Sequence, residues 1–195
     1  MKTKRIANLL KEIKRCDLCL PHLELGANPV ISFTAKSRII VIGQAPGAIV
    51  HRTCVPWNDK SGDNLRSWLG VEEEVFYDSD IFGIVPMGFC YPGKGKSGDL
   101  PPRKECAPLW HKRIFDELGE VELTLLIGQY AQSYYLGKER KKTLTETVLN
   151  YESYLPKYFV LPHPSPRNNI WMKKNPWFNE LVIPTLKKCV KKLLD

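Results

Sequence analysis

Apolar residues in this chain occur either in short unbroken runs or at helical spacing. The unbroken runs predict strands over residues 38–43, 81–87, 121–127 and 158–161. The helical spacing predicts helices over residues 4–15, 61–69, 104–118, 129–136 and 177–194. The Gly-, Pro- and Lys-rich segment 91–103 is predicted to be a loop. Because strands alternate with helices, we expect an α/β fold, a three-layer sandwich around a central, mostly parallel four-stranded sheet.

The composition indicates one folded unit. The chain has 195 residues, of which 43% are hydrophobic, so we expect a single domain spanning residues 1–195. No apolar run approaches membrane-spanning length, and the basic N-terminus lacks the apolar core of a signal peptide. We therefore expect a monomeric cytoplasmic protein that makes no membrane contact. Its formal net charge of +8 suits a polyanionic partner.

Three motifs lie at or near the ends of predicted strands. Gly43-Gln-Ala-Pro-Gly47 follows the first strand, and His163-Pro-Ser-Pro-Arg-Asn168 follows the last. Between them, Pro56-Trp-Asn-Asp-Lys-Ser-Gly62 offers the flat face of a tryptophan for stacking on a base. Two prolines stiffen the His163–Asn168 motif, whose Ser165 and Arg167 suit phosphates. An apolar tip there, where Ile170 and Trp171 follow, could enter a base stack. Since ligands bind beyond the carboxyl ends of strands in open α/β sheets, we expect one shared cleft.

Gly43-Gln-Ala-Pro-Gly47 and His163-Pro-Ser-Pro166 resemble, in order and separation, the two signature motifs of the uracil-DNA glycosylase superfamily. The spacing to Trp57 is similar to that of the iron-sulfur thermostable branch, whereas the extended second motif resembles the single-strand-selective monofunctional branch. The resemblance implies a uracil-DNA glycosylase-like fold and a monofunctional DNA glycosylase. Such an enzyme flips out uracil or a related deaminated or damaged base and hydrolyses its N-glycosidic bond. The alternative is a non-catalytic binder of lesions or single-stranded DNA.

The resemblance also implies roles for individual residues. His163 would stabilise the negative charge that develops on the departing base. The residues expected to hold the base are Gly43, Ala45, Trp57 and Asn58. The residues expected to contact DNA are Ser165, Arg167 and Asn168.

The first motif departs from most active branches because it contains no Asp, Glu or Asn to place the attacking water. Gln44 could orient water, although an amide accepts a proton poorly. Asp59 is the compensating catalytic candidate, with turn stabilisation as its alternative role, and Asp63 is the second choice. Pro86 stands where the thermostable branch has an asparagine that reads uracil. Either Asn58 reads the base instead, or the pocket accepts another lesion, such as hypoxanthine or a 5-substituted uracil.

Four of the six cysteines match the pattern of the thermostable branch, which holds a four-iron cluster. Cys16 and Cys19 form a C-x-x-C pair, and Cys90 and Cys106 flank a Pro-rich segment. The resemblance implies that these four residues bind a 4Fe-4S cluster. Four thiolates also suit tetrahedral zinc, and unligated buried thiols are the third possibility. The remaining two cysteines have no place in the pattern.

Overall fold

The computed structural model describes residues 2–195 and contains a central sheet flanked by helices. The sheet strands are β1 (Ile39–Ile42), β2 (Phe82–Ile84), β5 (Leu123–Ile127) and β6 (Tyr158–Leu161). A separate hairpin consists of β3 (Lys94–Gly95) and β4 (Gly98–Asp99). The α-helices are α1 (Lys2–Lys14), α2 (Ala48–Thr53), α3 (Lys60–Leu69), α4 (Glu73–Tyr77), α5 (Cys106–Glu117), α6 (Gly128–Leu136), α7 (Leu144–Leu149), α8 (Asn169–Lys174) and α9 (Ile183–Leu194). The α/β fold predicted from the hydrophobic pattern is confirmed.

The sheet has the strand order β2-β1-β5-β6, and all of its pairings are parallel. Ile39 of β1 pairs with Phe82 on one side and with Leu123 on the other. Every residue of β1 and β5 is buried, because helices cover both faces of a parallel sheet. This burial is the reason that both strands consist almost entirely of Ile, Val and Leu.

Helices pack in pairs that cover the sheet, α1 on α5 and α3 on α9. The apolar residues of α1 that face the core are Ile6, Leu9 and Ile13. Those of α3 are Leu65, Trp68 and Leu69, the three that the helical spacing predicts to face inward. None of the helices in residues 2–195 has the length and apolar character that crossing a bilayer demands.

The C-terminal helix differs from the uninterrupted one that the spacing predicts over residues 177–194. It begins with a π-helical turn, Phe178–Val182, and becomes α-helical only at Ile183. Pro184 lies in the first turn of α9 and cannot donate a hydrogen bond to the preceding turn, so a continuous α-helix is broken there. The short helices α2, α4, α7 and α8 were not predicted, because five or six residues are too few to establish a helical period.

The prediction of an unstructured loop over residues 91–103 is wrong in its centre. Lys94 pairs with Asp99 and Gly95 with Gly98 in the antiparallel hairpin of β3 and β4. Two-residue strands leave no alternating hydrophobic pattern, so only the surrounding structure reveals them.

His111 is a buried histidine of α5 that forms a hydrogen bond with the main chain just after β2. Its Nε2 lies 3.0 Å from the main-chain oxygen of Pro86, which can only accept a hydrogen bond, so Nε2 carries the proton. Nδ1 therefore accepts from the hydroxyl of Tyr135 at 2.6 Å. Burial lowers the pKa of His111 to about 4. The folded protein thus holds this imidazole neutral.

Acid should destabilise the fold through His111. Between pH 6.5 and about 4 the unfolded chain binds a proton at this residue and the folded chain does not, so unfolding becomes easier as the pH falls. We expect the free energy of unfolding to fall by about 3 kcal/mol through this residue over that pH interval. Urea unfolding of wild type and His111→Gln at several pH values measures it. The stability advantage of wild type should shrink towards pH 4, and parallel pH dependences would contradict the assignment.

Candidate active site

A cavity of about 430 Å³ opens at the carboxyl ends of β1, β2 and β6. Parallel strands present their carboxyl ends at one edge, which is where ligands bind in folds of this class. Residues of all three motifs line the cavity, as the sequence predicts: Gly43, Gln44, Ala45, Trp57, Asp59, His163, Ser165 and Arg167. Two other predicted site residues, Asn58 and Asn168, do not line it. Asn58 is exposed, and its role in reading the base stays a prediction.

Trp57 lies over Gly43 in a left-handed backbone conformation with φ of 57°. A Cβ on Gly43 would lie 2.7 Å from Cζ2 of the indole, so glycine is what allows the ring to rest there. A Cβ on Gly62 would lie 1.7 Å from the Trp57 carbonyl oxygen, so the first turn of α3 also requires glycine. A non-glycine residue at positive φ costs about 1–3 kcal/mol and persists only where its surroundings hold it. Packing therefore places this tryptophan at the cavity.

Two residues that the sequence analysis missed clamp the Pro56–Trp57 segment. Nη1 of Arg66 donates to the Trp57 carbonyl at 3.3 Å, and the Tyr77 hydroxyl donates to the Pro56 carbonyl at 3.0 Å. Arg66 is held in turn by an ion pair with Asp63 at 2.5 Å. Asp63, the second-choice catalytic candidate, thus has a supporting contact on α3. Neither clamp residue lies in a motif, so the sequence carried no signal for them.

His163 is half-buried, and its ring centroid lies 5.7 Å from that of Trp57. Its main-chain oxygen accepts from the side-chain amide of Asn168 at 2.6 Å. Asn64 of α3 donates to the carbonyl of Pro164 at 2.8 Å, which connects the histidine loop to α3. Burial lowers the pKa of His163, while the carboxylates of Asp59 and Asp99 oppose the shift. The imidazole is therefore neutral near pH 7 and can donate one hydrogen bond without carrying a charge.

Asp59 caps α3, which is one of the two roles predicted for it. Its Oδ1 accepts from the amides of Ser61 and Gly62 at 2.9 and 3.0 Å. Its Oδ2 lies 3.9 Å from the position that a Cβ on Gly47 would occupy and so faces the cavity. Gln44, the other candidate for placing water, instead donates to the carbonyl of Leu100 at 3.3 Å.

The residues predicted to contact DNA all have partners within the chain. The Ser165 hydroxyl accepts from the amide of Arg167 at 3.3 Å and caps the turn that follows. Arg167 donates to the carbonyl of Ser97 at 3.0 Å, on the hairpin. Beyond this turn, Ile170 is 69% exposed, whereas Trp171 is packed inward and donates to Thr145 at 2.8 Å. Ile170 is thus the exposed apolar side chain that follows this motif, and its insertion into a base stack stays a prediction.

The hairpin contributes to the cavity a carboxylate that the sequence analysis missed. Asp99 lines the cavity beside Gly47, and its Oδ2 lies 3.5 Å from the position of a Cβ on that glycine. Its Oδ1 accepts from the hydroxyl of buried Tyr91 at 3.4 Å. Asp99 belongs to none of the three motifs, because it lies in segment 91–103, which the sequence predicts to be a loop.

A profile of the Uracil DNA glycosylase superfamily matches residues 31–187. This range covers most of the chain and contains both signature motifs together with Trp57, Asp59 and Asp99. The chain belongs to the uracil-DNA glycosylase superfamily. Membership agrees with the parallel four-stranded sheet and suggests glycosylase activity on DNA.

In this member of the superfamily the four predicted metal-binding cysteines line one pocket: Cys16, Cys19, Cys90 and Cys106. Burial, together with the neighbouring thiols, raises the pKa of Cys90 to about 11 and that of Cys106 to about 12. The amide of Phe89 donates to the sulfur of Cys106 at 3.4 Å. Arg103 lines the same pocket and forms an ion pair with Glu105 at 2.7 Å, and its buried Nε has no partner in residues 2–195.

The arrangement of the cysteine pocket bears on which metal group it fits. Within residues 2–195, no three His, Cys, Asp or Glu side chains form a group that could hold a metal ion. A structural zinc ion needs four ligands around one centre. A four-iron cluster instead binds each thiolate to a different iron, and hydrogen bonds to sulfur and a nearby cation suit it. The identity of the metal group at these four cysteines stays a prediction.

Proposed function

We propose that the protein is a monofunctional DNA glycosylase that excises uracil or a related deaminated or damaged base. The observation that carries the proposal is the meeting of Trp57, His163 and two carboxylates in one cavity at the strand ends. The cavity volume of about 430 Å³ falls in the range of small-molecule sites, about 300–1,000 Å³. A flipped-out base is a ligand of suitable size and chemistry for such a site.

Base binding would rest on stacking and on main-chain contacts. Trp57 presents a π-face, and base stacking on an aromatic contributes about 1–3 kcal/mol. The first motif supplies backbone amides at Gly43 and Ala45, whose positions line the cavity. Pro86 lines it as well and offers no side-chain donor to the edge of a base. This deficit supports a substrate range that extends beyond uracil to bases such as hypoxanthine or 5-substituted uracils.

The chemistry would be hydrolysis at C1′ of the sugar. As the C1′–N bond lengthens, negative charge develops on the base, and the neutral His163 imidazole can donate a hydrogen bond to its O2. Oδ2 of Asp59 faces the cavity and would place the attacking water, while Oδ1 keeps the carboxylate oriented through the helix cap. Among residues 2–195, no lysine lines the cavity, which supports a monofunctional enzyme rather than a Schiff-base lyase.

DNA contacts would come from the rim of the cavity. Arg167 is exposed there, and the guanidinium N–H groups that the Ser97 carbonyl does not use could bind a phosphate. Exposed Ile170 would enter the gap that the flipped nucleotide leaves in the base stack. The net charge of +8 would add a favourable, salt-dependent contribution to binding.

The experiment that tests the function uses labelled oligonucleotides that each carry uracil, hypoxanthine, xanthine or 5-hydroxymethyluracil. Alkali after incubation reveals abasic sites, and strand scission without alkali would indicate a lyase instead. Alkali-dependent scission of one or more substrates supports the glycosylase and names its base. Tight binding of the same oligonucleotides with no scission would favour the alternative, a non-catalytic lesion or single-strand binder.

We propose further that the cysteine pocket binds a 4Fe-4S cluster with a structural role. The four thiols share one pocket, which Arg103 also lines, and the amide of Phe89 donates to the sulfur of Cys106. Anaerobically purified protein should absorb light at about 400 nm and contain about four iron atoms per chain. Cys90→Ser should lose the absorbance and Cys189→Ser, which alters a cysteine elsewhere, should keep it. Colourless protein with stoichiometric zinc would contradict the proposal.

A further inference from the structure

The hairpin of β3 and β4 is held over the cavity by both signature motifs. From the first motif, the Gln44 side chain donates to the carbonyl of Leu100 at 3.3 Å. From the second, Arg167 donates to the carbonyl of Ser97 at 3.0 Å. Both contacts go to main-chain oxygens, so they fix the path of the hairpin rather than one of its side chains. The hairpin therefore belongs structurally to the site.

This attachment places Asp99 close to Gly47, which Asp59 approaches as well. The Oδ2 atoms of the two carboxylates lie 3.5 and 3.9 Å from the same point, the position of a Cβ on Gly47. Both carboxylates line the same cavity as His163, and the negative charge of each acts to raise the pKa of its imidazole. Two acceptors that converge on one small space can hold a single water through both of its protons.

The two carboxylates differ in what else they do. Asp59 is committed through Oδ1 to the cap of α3. Asp99 is exposed, and Tyr91 donates to its Oδ1 at 3.4 Å. Asp99 takes part in no ion pair within the described residues, 2–195. An unpaired negative charge beside a rim that binds phosphates weakens DNA binding. The position of the Asp99 carboxylate is therefore better explained by a role in catalysis than by a role in binding DNA.

We infer that Asp99 is the proton acceptor of the hydrolysis and shares the attacking water with Asp59. The water oxygen forms a bond to C1′ while the C1′–N bond breaks and its electron pair leaves with the base. One proton of the water passes to Asp99 and then to solvent, and the base anion takes up a proton from solvent. Asp99 thereby supplies the carboxylate that the first motif lacks. The inference rests on the proposed glycosylase activity.

Single-turnover cleavage with saturating enzyme tests this inference on whichever base the wild type excises. Asp99→Asn should lower the rate about 100-fold or more, the range of a general base. Its DNA affinity should be unchanged or tighter, because a negative charge is lost. Asp116→Asn is the matched control, since it removes an exposed carboxylate of α5 outside the cavity and should leave the rate unchanged. Melting temperatures of both variants check that the fold is kept.

The double variant distinguishes a shared water from two separate roles. If both carboxylates hold one water, Asp59→Asn combined with Asp99→Asn should be little slower than the slower single variant. Losses that multiply would overturn the shared water. An Asp99→Asn rate within about threefold of wild type, or a loss of affinity in place of rate, would overturn the proton-acceptor role. If the wild type cleaves no substrate, the proposed function itself fails, which is a different result.

Discussion

Replacing His163 with alanine is expected to lower the single-turnover cleavage rate about 10²- to 10³-fold, the effect of removing one preorganised donor from a developing anion. Burial lowers the pKa of this imidazole, so the wild-type ring acts as a neutral hydrogen-bond donor near pH 7. DNA affinity should stay within about threefold, because the phosphate contacts lie elsewhere on the rim. Rapid-quench cleavage and fluorescence anisotropy on the same oligonucleotide measure the two quantities.

Two further variants sharpen this test. His163→Gln keeps a side-chain N–H and should recover part of the rate that alanine loses. His22→Ala removes an exposed histidine that lines a different cleft and should cleave at the wild-type rate. A His163→Ala enzyme with the wild-type rate would exclude the donor role. Equal losses of rate and affinity would indicate instead that His163 only holds the DNA.

Replacing Gly62 with alanine is expected to destabilise the protein by about 3 kcal/mol, the upper range for overpacking. The added Cβ would lie 1.7 Å from the Trp57 carbonyl oxygen, a main-chain atom that cannot rotate away. The sign of the stability change is informative, because replacing a helical glycine with alanine otherwise stabilises a protein by about 1 kcal/mol. Urea unfolding measures the change.

The control for this prediction lies in the same turn of α3. Lys60→Ala alters an exposed residue at the helix start and should change stability by no more than about 0.5 kcal/mol. An unchanged free energy of unfolding in Gly62→Ala would contradict the prediction. It would mean that the Trp57 main chain moves away from the added methyl group, and so out of its left-handed conformation, at no cost in stability. Its packing against Gly43 would then not be what shapes the cavity.

Much of the scaffold follows from local sequence. Runs such as Ile39–Ile42 are apolar on both faces, and a segment of that kind is stable only as a strand between two helical layers. The convergence of Gly43 and His163 was also predictable, because motifs that directly follow parallel strands must meet at one edge of the sheet, whereas Trp57 follows α2. The resemblance of the cysteine spacing to the thermostable branch likewise predicted that these four cysteines lie together, and they line one pocket, whereas the bound cluster stays a prediction.

Tertiary structure decided how the site is completed. The hairpin that carries Asp99 is held by contacts between residues far apart in the chain, 70 positions from Ser97 to Arg167 and 56 from Gln44 to Leu100. No local pattern encodes such contacts, because each depends on where the fold brings two distant segments. The left-handed conformation of Trp57 is likewise imposed by its neighbours and is not favoured by the residue itself. The sequence by itself thus determined the sheet and the motif positions, whereas long-range packing placed the second carboxylate and oriented the tryptophan.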